Sequence, residues 1–397
     1  MHCMGCGSII LEKCSFNEKK VKLLLVLDFI NNNSGVSSVV MNYYSHIDKS
    51  KFQIDFLLYE EPGAKVLKHL QKRGSEVYAL GHPVKLGITN YQTAIADFFK
   101  EHQNVYQIVH VHIPNAAFVV LKYAKKYGVK TRIIHSHNSK GADGAVKKLR
   151  NYFLNRQGIQ YANQYYACSK SAGEYLYGKK QLKELVIINN AINLDKYQYN
   201  QKSRRKIRKE LGIEDELVIG HIGRFSKQKN HMFLIEIANQ LKKRNVNFKL
   251  VLLGDGELTD TIKKQVEISG LDKEVIFIGV TRNAKEYMDA MDIFVLPSLY
   301  EGLPCVCVEA QANKLPCLVS DCVTREVALN DKIYFLKIDN ESEWVEKILE
   351  YDIQKIRIQR EDDASVDLKD YDIVVQAKNL EERYLAYENS SGINVNI

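Results

Sequence analysis

Short apolar runs alternate with stretches of helical periodicity along most of the chain, the pattern of βαβ units built on parallel sheets. In the first half the runs expected as strands are Val21–Leu27, Ile54–Leu58, Val77–Leu80, Ile108–Val111, Arg132–His135, Gln164–Ala167 and Leu185–Ile188. Helical patterns at Gly35–Ser45, Ala64–Arg73, Tyr91–His102 and Ala116–Tyr127 lie between most of them. In the second half, strands are expected at Leu217–Ile222, Lys249–Leu253, Val275–Ile278, Ile293–Leu296 and Cys317–Ser320. Helices Asn230–Arg244, Leu258–Ser269, Ala284–Ala290 and Pro304–Asn313 fill those gaps. A turn-like segment, Ile188–Asp195, and a polar stretch, Gln198–Arg208, mark the boundary between the halves. The chain thus divides into a disordered leader (1–20), a first domain (21–195), a second domain (196–371) and a terminal helix (372–388). In that last pattern Ile373, Ala377, Leu380, Tyr384 and Tyr387 share one face. Two doubly wound α/β units facing each other would leave a cleft at the carboxyl ends of their strands, where such sheets bind ligands.

The composition places no obstacle before two large cores. Of 397 residues 45% are apolar and 26% charged, ordinary for a globular protein. No apolar run reaches the roughly 18 residues of a membrane span, and Met1–Lys20 lacks the basic-then-apolar order of a secretion signal. The eight cysteines include one CxxC, Cys3–Cys6, without a second pair or a convincing histidine partner. Cys305 and Cys307 fall in an apolar helix, where cysteine acts as a small hydrophobe. A reduced, cytoplasmic protein is expected. Charge is uneven: residues 1–200 hold 27 Lys and Arg against 14 Asp and Glu, leaving 29 against 34 for residues 201–397. In Gly144–Arg156, Lys147, Lys148, Arg150 and Arg156 alternate with Val146, Leu149, Phe153 and Leu154. That helix would suit the anionic inner face of a plasma membrane; a solvated amphipathic helix explains it at least as well. No nucleic-acid partner is expected, since no recognised binding motif or aromatic-rich basic groove is present.

The most informative chemistry lies in Glu301-Gly302-Leu303-Pro304-Cys305-Val306-Cys307-Val308-Glu309. Pro304 fits the first turn of a helix, where its missing N–H is no loss. Glu301 then sits on the strand-to-helix loop and Glu309 more than a turn into a largely buried helix. A buried carboxylate is costly unless satisfied, and the free N–H groups of the loop suit an anion. Paired carboxylates beside an anion site suggest a ligand with hydroxyls and phosphates. In Gly220–Asn230, Gly223 permits close backbone approach, Arg224 and Lys229 offer phosphate-binding cations, and Asn230 is placed to cap a helix. Two surface cations near a helix start would be the commoner explanation of that segment alone. Gly254-Asp255-Gly256 is a second tight turn, and Asn31–Gly35 a further one ending at Gly35, with ordinary turns as the alternative for both. His110, His112, His135 and His137 flank two adjacent strand ends. They lack a convincing carboxylate or cysteine partner for a metal.

Taken together, Arg224 to Asn230, Gly254–Gly256, Pro297–Pro304 and Glu309-Ala310 resemble the retaining glycosyltransferases of family 4. Arg132–Asn138, Tyr166–Ala172 and the terminal helix extend the resemblance over nearly all of residues 20–390, closest to the branch that builds bacterial capsular and exopolysaccharides. The resemblance implies the GT-B fold: two facing Rossmann-like domains, with a C-terminal helix crossing back to the first. It implies a nucleotide-sugar donor, expected to be a UDP-sugar, held mainly by the second domain. Arg224 and Lys229 would neutralise the donor diphosphate, with Gly35, Gly223 and Gly254 beside it. Glu309 would hold the ribose. Glu301 and the N–H groups of Gly302 and Leu303 would hold the transferred hexosyl unit, and His137 would help align the transition state. The acceptor would be a sugar or lipid-linked oligosaccharide, and no divalent metal or other cofactor is expected. No clear Asp-x-Asp pair that would hold a divalent metal stands out, and front-face attack needs no carboxylate nucleophile. Three departures stand out: Ser34-Gly35 in place of two glycines, Asn313-Lys314 in place of a small pair, and the leader. An epimerase of nucleotide-sugars on the same architecture is the alternative, and a non-catalytic sugar-binding protein a third. A dinucleotide oxidoreductase is disfavoured because no GxGxxG follows a strand.

Overall fold

A computed structural model gives the fold and describes residues 20–31, 34–139, 145–362 and 368–390. The expected leader except Lys20, with its CxxC, and Asn32, Asn33 and Gly144 lie outside the described residues. The first sheet has seven parallel strands: β1 (Val21–Val26), β2 (Phe52–Leu58), β3 (Val77–Ala79), β4 (Ile108–Val111), β5 (Thr131–Ser136), β6 (Gln164–Ala167) and β7 (Leu185–Ile187). Their order is β3-β2-β1-β4-β5-β6-β7. The second sheet joins β8 (Leu217–Ile222), β9 (Phe248–Leu253), β10 (Val275–Gly279), β11 (Ile293–Leu296), β12 (Cys317–Ser320) and β13 (Ile333–Leu336) in the order β10-β9-β8-β11-β12-β13. Both are doubly wound, with the strand order reversing beside β1 and beside β8.

The pleat explains the unbroken apolar runs. Leu23 and Leu25 of β1 pack to one side of the first sheet, while Leu24 and Val26 pack to the other. In β11, Ile293 and Val295 face one core of the second sheet and Phe294 and Leu296 the opposite one. A strand covered by helices on both faces needs apolar residues at every position.

The terminal helix, Ile373–Ser390, buries Ile373, Ala377, Leu380 and Tyr384 in a core of the first sheet. Its entry is tied by Ile192 N–H to Tyr371 O at 2.9 Å and Ile373 N–H to Ile192 O at 3.0 Å.

Several elements differ from expectation. Within the polar stretch Gln198–Arg208 begins a helix that was not expected, Gln201–Glu210, which buries Arg204 and Arg208. Arg204 reaches Asp292 at 2.7 Å, and Arg357 reaches the same carboxylate at 3.0 Å. Burial alone would raise Asp292, but Arg357 and Arg204 hold it down at about 2. Asn230 does not cap through its side chain; it takes a left-handed conformation (φ 54°) and the helix begins at His231. Pro304 stands at the cap position rather than in the first turn, with the helix running Cys305–Ala312. Strand β13 and helices Lys170–Tyr177, Glu341–Leu349 and Ile353–Asp362 were not expected from the apolar pattern. Among the described residues no helix is long and apolar enough to cross a membrane.

Candidate active site

The loops leaving β1, β5, β8, β9 and β11 converge on a cleft of about 600 Å³ between the sheets. All ten residues given a donor-site or catalytic role above line it, namely Gly35, His137, Gly223, Arg224, Lys229, Gly254, Glu301, Gly302, Leu303 and Glu309, whereas His110, His112 and His135 lie behind it.

On the second-domain side, backbone packs directly on backbone. A Cβ on Gly254, where φ is +131°, would lie 2.0 Å from Gly223 O. One on Gly302 would lie 2.1 Å from His137 O. Glycine at these positions is a steric requirement. Gly35 differs: nothing lies within 4 Å of its missing Cβ. Ser34 caps the helix that follows, its hydroxyl accepting from Ser37 N–H.

The charged groups pair as they line the cleft. Lys229 Nζ sits 2.7 Å from Glu301 Oε1, and both side chains are largely buried. Arg224 is exposed and reaches Glu257 at 3.1 Å. Glu309 Oε1 accepts from the Tyr197 hydroxyl at 2.8 Å. Desolvation raises the Glu309 carboxyl, opposed by Tyr197 and the nearby Lys196. Tyr197 was not singled out from sequence, for it ends a four-residue helix (Leu194–Tyr197) that carries no motif. It is anchored in turn by Asn313, whose side-chain amide donates to Tyr197 O at 3.0 Å and to Asp289 at 2.8 Å. The unusual Asn313 therefore supports the Glu309 contact from behind.

The first-domain side is an imidazole stack. His110 and His112 lie ring to ring at 4.1 Å, as do His135 and His137. Hydrogen bonds link them crosswise: His112 Nδ1 to His137 Nε2 at 2.9 Å, and His110 Nε2 to His135 Nδ1 at 3.0 Å. The Tyr384 hydroxyl of the terminal helix meets His110 Nδ1 at 2.8 Å. Burial pushes His137 down to about 4 and lowers the other three. At neutral pH the stack is uncharged, and His137 offers a neutral imidazole to the cleft. His110, His112 and His135 bring one nitrogen each within 4.8 Å of one another, close enough to ask about a metal. Their rings stack instead of converging, and His110 and His135 spend one nitrogen each on their mutual bond. Hydrogen bonds use both nitrogens of His110 but only Nδ1 of His112 and of His135, whose Nε2 atoms are buried without a partner among the described residues.

Two facing parallel-sheet domains, with cations and carboxylates gathered at their strand ends, define the frame of a GT-B glycosyltransferase. A family model described as glycosyl transferases group 1 matches residues 203–357, and one described as glycosyltransferase family 4 matches residues 33–196. The chain belongs to this glycosyltransferase family. It is 34% identical over 316 residues to EpsF of Bacillus subtilis, which carries a glycosyltransferase name; the match covers 78% of this chain and 82% of EpsF. It is 26% identical over 288 residues to CapH of Staphylococcus aureus, named a capsular polysaccharide biosynthesis glycosyltransferase, covering 70% and 77% of the two chains. The fold matches that of HepE from Anabaena, solved with UDP and glucose. That TM-score is 0.74 at 16% identity, covering 92% of this chain and 100% of HepE.

Proposed function

We propose that this glycosyltransferase moves a hexosyl unit from a UDP-sugar to a sugar acceptor in capsular or exopolysaccharide assembly, with retention of anomeric configuration and without a divalent metal. The observation that carries this reading is the Lys229–Glu301 pair at 2.7 Å, with Glu309, from the helix that follows the Glu301 loop, in the same cleft. A nucleotide-sugar has its ribose, diphosphate and sugar in that order. Glu309 would take the ribose, Lys229 with Arg224 the diphosphate, and Glu301 with the Gly302 and Leu303 N–H groups the sugar, all from one cleft. Cleavage leaves negative charge on the departing phosphate, and fixed cations aimed at developing charge lower the barrier. His137, neutral, can hydrogen-bond the sugar without competing with the cations for the phosphate.

A lipid-linked acceptor is favoured by the helix Ala145–Tyr161, which leaves Leu149, Tyr152 and Phe153 more than half exposed beside Arg150 and Arg156. Such a face suits the surface of an anionic bilayer, which would place the enzyme at the inner side of the plasma membrane.

The test is release of UDP from a panel of UDP-sugars, with and without added acceptors. Wild-type enzyme is expected to release UDP from at least one. Glu301→Ala and Arg224→Ala should each abolish that release, and wild-type rates in both would sink the site assignment. A sugar isomerised without any acceptor would instead identify an epimerase.

A further inference from the structure

The loop Glu301–Leu303 belongs to the second domain, yet its three successive carbonyls are each held by a side chain of the first. Ser139 Oγ donates to Glu301 O, Ser169 Oγ to Gly302 O at 3.0 Å, and Asn190 Nδ2 to Leu303 O at 2.6 Å. In a trans peptide the carbonyl of one residue and the N–H of the next point in opposite directions. Holding Glu301 O therefore sets the direction of the Gly302 N–H, and holding Gly302 O sets that of Leu303. Neither N–H forms a hydrogen bond within the described residues, and both residues line the cleft.

The clamp is built, not incidental. Ser169 is fully buried and its hydroxyl is used twice, donating to Gly302 O and accepting from Ala172 N–H as the cap of helix Lys170–Tyr177. The same helix end receives Glu326 from the second domain, whose carboxylate accepts from Lys170 and Ser171 N–H at 2.8 and 3.1 Å. Asn190 is buried, and Leu303 O fixes which way its amide faces.

We propose that Ser139, Ser169 and Asn190 are positioning residues through which the first domain aims the Gly302 and Leu303 amides at the transferred sugar. The sugar-binding part of the donor site is then complete only when the domains are in contact, whereas the nucleotide-binding part lies mainly in the second domain. This rests on the donor reading given above. It extends that reading by making sugar activation conditional on domain contact, so that a nucleotide-sugar bound to a separated second domain is held without being activated.

The experiment uses the full chain, with UDP as the binding probe and the UDP-sugar that turns over best as substrate. Ser169→Ala and Asn190→Asp, the second of which replaces the amide donor with an acceptor, should each lower kcat for UDP release about ten- to a hundredfold. Affinity for UDP should stay within about twofold of wild type. Ser169→Thr, which keeps the hydroxyl, should recover most of the rate. Should Ser169→Ala fail to fold through loss of its cap, Ser139→Ala, which disturbs no cap, takes its place with the same expectation. Unchanged kcat in Asn190→Asp and the serine variants overturns the clamp. So does a parallel fall of UDP affinity and kcat that Ser169→Thr does not reverse. Wild-type protein that neither binds UDP nor releases it from any UDP-sugar would remove the donor reading itself, a result distinct from clamp variants that match an active wild type.

Discussion

The two domains furnish one cleft with opposite kinds of group. The second contributes ions, Lys229 and Arg224 with Glu301 and Glu309. The first contributes groups that are neutral at pH 7: stacked imidazoles, serine hydroxyls and the Asn190 amide. Burial has opposite consequences for the two sets. A buried ion must keep a partner, as Lys229 keeps Glu301. A buried histidine escapes the cost by staying unprotonated, as His137 does. The contrast implies that charge handling and geometric alignment are separable tasks, one on each side of the cleft.

The strongest way to break that separation is to remove the cation. Lys229→Ala should lower kcat for UDP release by about 10²–10³, the loss typical when one fixed group facing developing charge is deleted. It also strands Glu301, so Lys229→Ala with Glu301→Gln should be better folded than the single variant and just as inactive. A single variant within tenfold of wild type would move the phosphate site elsewhere.

Acidification should break the neutral side next. The four stacked histidines, together with His221 and His231 of the second domain, are held below their ordinary value near 6.5 by burial. The unfolded chain therefore binds more protons than the native one below pH 6.5. Stability is fully present above that pH and is lost as pH falls toward 4, each histidine adding up to about 1.4 kcal/mol per pH unit. The melting temperature should drop by about ten degrees between pH 7 and 5.5. The first domain, with four of the six, should unfold first in calorimetry. A melting temperature flat over that range would contradict the burial of the stack.

The smallest expected effect sharpens the charged side. Tyr197→Phe removes the hydroxyl bound to Glu309 and should raise the donor KM a few-fold with little change in kcat, because ribose contacts are the same in ground and transition states. A fall in kcat with KM unchanged would instead assign Tyr197 to the chemical step.

Much of this arrangement was legible from local pattern. Ile293–Leu296 followed by Glu301–Pro304 announces a strand, a loop and a helix within a dozen residues, and the structure has all three, with the loop lining the cleft. The loop glycines were legible for the same reason, since a missing side chain at a strand end already implies close approach. What escaped notice depends on partners far away in the chain. Arg204 and Arg208 lay within a stretch noted only as polar, because Asp292, which they meet, lies more than 80 residues on. Ser169 and Asn190 are ordinary cap and turn residues until the second domain brings Gly302 and Leu303 against them, 133 and 113 residues downstream. Strand β13, Ile333–Leu336, at the edge of its sheet, was missed although it is as long as the four-residue strands that were read, and nothing in the apolar pattern explains the difference.

The return of the terminal helix orders events during synthesis. Ile373, Ala377, Leu380 and Tyr384 fill a core laid down by strands made near the start, and Tyr384 is also the partner of His110. On the ribosome, the whole second domain must therefore emerge before the first can close its core. A nascent chain halted before residue 373 would carry the cleft-lining loops of the second domain opposite a half that still lacks one wall. A helix made after the second domain secures the sheet begun before it.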